Sequence, residues 1–142
     1  MSLAVATAPH FQGPYQVAGN EPVFGVGRGG EMEDPFIWKD AGGFHMVATD
    51  QRGGVIGEKH GGVLAHSADG LRWQLDRSPK AYSKTLTWTD GSVRTQGQLE
   101  RPFGLFQNGV LTHFFFGTMD GPGGFQNGTR SWNMVVRVKP ER

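Results

Sequence analysis

Glycine-centred turn signals recur at short intervals along this chain, and the segments between them are too short for ordinary helices. KDAGG, ADG, TDG and QNG each separate two runs rich in apolar side chains. Asp69-Gly70 and Asn108-Gly109 are residue pairs that suit the positive φ of tight hairpin turns. No ten-residue stretch free of glycine and proline places apolar residues at i, i+3, i+4 and i+7, so helix signals are nearly absent. Short strands at this spacing predict an all-β fold. The 23 glycines, 10 phenylalanines and 4 tryptophans suit many tight turns between aromatic-rich strands.

The predicted strands organise into units. LAVATA (Leu3 to Ala8) is one strand, followed by GPYQV. FIW and FHMVAT flank KDAGG, GVLAHS and LRWQLD flank ADG, YSKTLTW and SVRTQ flank TDG, and FGLF and LTHFFFG flank QNG. WNMVVRV (Trp132 to Val138) closes the series. One stretch is said twice. GEMEDPFIWKDAGG overlays ERPFGLFQNG without a gap at an offset of 67 residues, matching Glu33, Pro35, Phe36 and Gly42 to Glu100, Pro102, Phe103 and Gly109. Four up-and-down strands from Pro35 to Asp76 have about the size of one propeller blade, ~40–45 residues. The YSKTLTWTDGSVRTQ hairpin then reads as an insertion between blades. The expectation is a single partial β-propeller domain over 1–142, with four-stranded antiparallel blade-like units at about 33–78 and 98–139. The N-terminal strands complete a blade in this reading. A β-sandwich with an accidental repeat is the competing architecture.

Length and charge narrow the function. A chain of 142 residues holds one domain with a real core. Its 14 basic and 13 acidic residues are scattered, so no basic stripe advertises nucleic acid or an anionic membrane. The absence of cysteine excludes disulfides, thiol catalysis and cysteine-ligated zinc. No apolar run approaches the ~20 residues of a membrane helix, and MSLAVATA is too short and lacks the basic start of a secretory signal. A soluble protein without a cofactor is expected.

The paired acids carry the chemical signal. In a propeller the first strand of each blade lines the central channel, so acids that open successive blades converge on one cavity. Glycoside hydrolysis needs that arrangement: one carboxyl protonates the leaving oxygen while another activates water or attacks. The proline fits a first strand position, where fixing φ and removing a donor costs no ladder bond. Glu33 and Glu100 have an alternative reading as surface acids at strand starts, and Arg101 as a structural ion-pair partner. His45 and His113 lie within strands and read as structural. No histidine spacing supports a metal site. Trp38, Trp73 and Trp132 read as core between blades, though an exposed indole stacks well on a sugar ring. GVGRGG (Gly25 to Gly30) has no following helix and is rejected as a phosphate loop. Asn127 to Thr129 form a glycosylation sequon, relevant only outside the cell.

EDPFIW, GGVLAHSADGLRW and LERPFGLF resemble the five-bladed β-propeller glycoside hydrolases, the arabinanase, xylosidase and invertase-like group, and most nearly family-43-like proteins. HSADGLRW is similar to the S-x-D-G-x-x-W strand pair of their blades. The resemblance covers their C-terminal blades only and implies a carbohydrate substrate. It implies that Glu100 is the Glu-x-Pro general acid, with Glu33 the other candidate, and that Asp34 tunes the acid or serves as second carboxylate. Arg101, Arg52, Trp38 and Trp132 are the candidate substrate-binding residues. The family carries three carboxylates on three blades, and the aspartate expected as general base has no counterpart here. A non-catalytic carbohydrate-binding or assembly module derived from that fold is therefore the alternative. Two blades cannot close a ring, so a homo-oligomer, dimer or trimer, is expected.

Overall fold

The computed structural model describes residues 2–24 and 31–139, and the GVGRGG segment lies outside the described residues. Its regular structure is all β, arranged in small antiparallel sheets, with one 3-10 turn at Gly124–Gln126. Among the described residues no helix is long and apolar enough to cross a membrane.

The first repeat folds as a four-stranded meander in sequence order. Its strands are β3 (Met32–Asp40), β4 (Gly43–Asp50), β5 (Gly61–Ser67) and β6 (Gln74–Tyr82), following β1 (Ala6–Thr7) and β2 (Gln16–Val17). The second repeat gives three strands, β9 (Gln98–Gln107), β10 (Val110–Met119) and β11 (Ser131–Arg137), with β10 central. Between them β7 (Thr85–Thr87) and β8 (Val93–Thr95) form a hairpin that pairs with neither large sheet, where an insertion was expected.

Turn chemistry sets these boundaries. Asn108 and Gly109 both adopt positive φ, 52° and 79°, as the tightest right-twisting hairpin turn requires. Around Asp69 the turn is longer than the sequence suggested. The Asp69 carboxylate accepts the backbone N–H groups of Leu71 and Arg72 at 2.9 Å, so β6 starts at Gln74 rather than Leu71.

Both faces of the first sheet are covered. Met46, Ala48 and Ala65 pack with Trp73 beneath Leu3, Val5, Val23 and Phe24 of the N-terminal segment. The opposite face meets the second sheet, where Phe36 contacts Phe103 and Phe114, and Trp38 contacts Phe106 and Phe114. Tyr82 stacks edge-on against Phe116, over a second core of Leu99, Phe116 and Met134. The N-terminal strands β1 and β2 pair with each other and lie on the first sheet, so within this chain they do not add a strand to the second. The β1–β2 ribbon stays separate, and the apolar residues flanking it cover the Met46 face.

Candidate functional site

The duplicated Glu-x-Pro-Phe is a duplicated backbone device. On β3, Glu33 pairs with Thr49 and Phe36 with Val47, so Asp34 and Pro35 together face one residue of β4. On β9, Glu100 pairs with Gly117 and Phe103 with Phe115, so Arg101 and Pro102 face the single Phe116. Each is a β-bulge, two residues against one, which kinks the strand and re-aims its side chains. In both, the residue before proline takes positive φ, 50° at Asp34 and 55° at Arg101. A non-glycine residue there costs about 1–2 kcal/mol, so the shape is held by its surroundings. β3 and β9 are the edge strands by which the two sheets meet, and the two bulges therefore converge.

Glu33, Asp34, Glu100 and Arg101 are brought together there. Arg101 Nε lies 4.0 Å from Asp34 Oδ2. Glu33 accepts a hydrogen bond from Gln51 Nε2 at 2.9 Å. The Glu100 side chain is only 10 % exposed. Burial is the main force pushing its pKa up, and the Asp34 and Glu33 charges add to it while Arg101 opposes. Tyr82, hydrogen-bonded to Thr49 at 3.0 Å, is also pushed up, chiefly by burial, with the Asp34 and Glu100 charges contributing. Glu100 and Arg101 also line a cleft of about 440 Å³ with Gln98, Phe125, Trp132 and Asn133. Glu33 and Asp34 are not among its lining residues.

The other candidates separate. Trp132 stands in the cleft wall beside the acid, 37 % exposed. Trp38 instead stacks on His45 between the sheets, where its ring is packing material. Arg52 pairs with Glu31 at 2.8 Å and is largely exposed. His45 binds Asp40 at 2.9 Å, and His113 contacts Thr112 Oγ1 at 3.0 Å, both local structural contacts. Among the described residues no three His, Asp or Glu side chains are grouped to hold a metal ion.

His60 is the residue sequence reasoning missed. Its ring stands with Nδ1 3.7 Å from Glu100 Oε1. The loop that delivers it is built by Asp50, fully buried at the end of β4. The Asp50 carboxylate accepts N–H groups from Gly53 and Gly54 on one oxygen and from Val55 and Ile56 on the other. Its carbonyl takes the His60 N–H at 2.7 Å. The available signal was local: an acid closing a strand, then a glycine-rich loop ending in His-Gly-Gly, a pattern that turns a side chain back over the sheet.

Comparison with family models, with curated proteins and with solved structures finds no match to this chain. The chemistry of the site therefore rests on its own geometry.

Proposed function

We propose that this chain is a carbohydrate-active protein of the propeller hydrolase type, its two main sheets being adjacent blades and its carboxylates a general acid–base set for glycosidic bonds. Glu100 is the acid that protonates the leaving oxygen. Asp34 or Glu33 supplies the carboxylate that keeps that proton in place or activates water. The observation that carries this reading is the pair of matching bulges. They bring two Glu-x-Pro corners together from separate sheets and leave one glutamate buried, with its pKa raised toward the range of a working acid. Trp132 and Phe125 beside Glu100 offer flat apolar surfaces against which a sugar ring can stack.

A screen of aryl glycosides with wild type and Glu100→Gln tests it. Wild type hydrolyses at least one, and the variant loses about 10²–10⁴-fold in kcat. Wild-type hydrolysis that survives the substitution unchanged removes Glu100 from the mechanism.

A second reading is a non-catalytic carbohydrate-binding or assembly module. The chain supplies acids from two corners where the hydrolases it resembles use three, and Arg101 sits against one of them. Saturable binding of an oligosaccharide without turnover of any glycoside would favour it. Under either reading identical chains associate, as a dimer or trimer, to complete the ring.

A further inference from the structure

Among the buried polar groups of the site, one nitrogen of the His60 ring stands unpartnered. Its Nδ1 is sealed from solvent and has no partner within hydrogen-bond distance. Buried ring nitrogens are normally satisfied, so an orphan in a site calls for an explanation. The position is also built at a cost. His60 adopts φ 61°, and the loop before it is pinned by the four amide contacts to Asp50. Glu100, an acid equally enclosed, lies 3.7 Å from Nδ1.

That separation is within ion-pair range, yet the charges do not support an ion pair. Burial holds the His60 pKa below its ordinary value, and the Lys84 and Lys59 charges lower it further against the opposing pull of Asp50. Around Glu100, Asp34 and Glu33 favour the neutral acid while Arg101 and Lys84 favour the anion. A neutral imidazole facing a carboxyl that tends to keep its proton forms an acceptor–donor pair. Catalytic hydrogen bonds that are long in the free protein commonly tighten once substrate closes the site.

We infer that His60 is a positioning residue for Glu100: neutral and protonated at Nε2, it offers Nδ1 as acceptor to the Glu100 carboxyl O–H and holds that carboxyl ready for proton transfer. The inference rests on the reading of Glu100 as the acid. The proton leaves Glu100 for the glycosidic oxygen, Glu100 remains as carboxylate, and His60 stays neutral throughout. A hydrogen bond to the protonated form favours that form, so His60 extends the pH range over which the acid is charged with its proton.

The test reads the pair directly, without turnover. In ¹⁵N-labelled wild type, at pH values where the imidazole is neutral and Glu100 still holds its proton, the His60 resonances are those of the Nε2–H tautomer. The Nδ1 shift steps at the pH where Glu100 loses its proton, and the step is absent in Glu100→Gln. An Nδ1–H tautomer while Glu100 is still protonated, or an Nδ1 signal that ignores Glu100, overturns the inference. Where a hydrolysed glycoside is found, the alkaline limb of the rate profile moves to lower pH in His60→Ala. His60→Asn, whose amide oxygen replaces Nδ1 and which tolerates positive φ, restores it. Equal profiles for all three proteins also overturn it. A wild type showing the step but hydrolysing no glycoside sinks the hydrolase reading and leaves the pair intact.

Discussion

At position 100 the protein keeps a carboxyl where water barely reaches, and this has a consequence for stability with a definite sign. The folded-state pKa of Glu100 is raised above its ordinary value of 4.5, because burial and the Asp34 charge disfavour the anion. The unfolded chain sheds that proton more readily. The resulting contribution to folding is fully present at pH below 4.5 and is lost as pH rises through the folded pKa. Glu100→Gln, neutral at every pH, should therefore melt higher than wild type at pH 8 and no higher at pH 4. Thermal unfolding at the two pH values checks this. A variant less stable at pH 8 would mean that the ionised carboxylate is welcome in its site. The same shift fixes the direction of any acid-dependent rate: hydrolysis falls as pH rises through the raised pKa, and a profile flat from pH 5 to 9 would exclude Glu100 as the acid.

On the scale of the strand, the recurring unit is the bulge and not the acid alone. Position x of Glu-x-Pro must tolerate positive φ, and the two repeats fill it with Asp34 and Arg101. Arginine has no special tolerance for that conformation, and its guanidinium is largely exposed at 4.0 Å from Asp34, so the ion pair contributes little. Arg101→Gly should hold or raise the denaturant midpoint, since glycine adopts this backbone freely, and under the proposed carbohydrate function it should also weaken sugar binding. Arg101→Val, which is β-branched, should fall about 1–2 kcal/mol below Arg101→Gly. Denaturant unfolding of the pair decides it: equal stabilities would show that the bulge does not constrain position 101. The sequence made this legible only in part. The overlay of Glu33, Pro35 and Phe36 on Glu100, Pro102 and Phe103 announced a shared structure, but alternation alone cannot reveal two residues facing one.

For the whole molecule, the uneven covering of the two sheets matters most. The first sheet is enclosed by the N-terminal segment on one side and the second sheet on the other. The second sheet leaves a cross-strand row of Phe103, Phe115 and Val135 at 65 %, 38 % and 51 % exposure. Apolar rows of this kind mark association surfaces. We expect it to receive another copy of the chain, as the next blade of a ring would. Light scattering at micromolar concentration should give a mass of two or three times 15.5 kDa, and Val135→Arg should return a folded monomer. A wild type that remains monomeric would end the ring-completion idea.

What the sequence determined alone was everything that depends on near neighbours. Glycine-bearing turns such as Asn108-Gly109 marked the hairpins, and the strand-like runs between them made the all-β class and the four-strand meander readable in advance. The likeness of the two acidic corners was readable because it was written twice, but their meeting was not. Only the tertiary structure decided what depends on distant residues. It put β1 and β2 on the first sheet, where the apolar residues flanking them cover the Met46 face. It separated Trp132 at the cleft from Trp38 in the packing, although both are tryptophans on strands. It also brought His60 to Glu100 across forty positions of chain. No periodicity encodes that contact, since it exists only where a loop folded around Asp50 meets a strand from the other sheet.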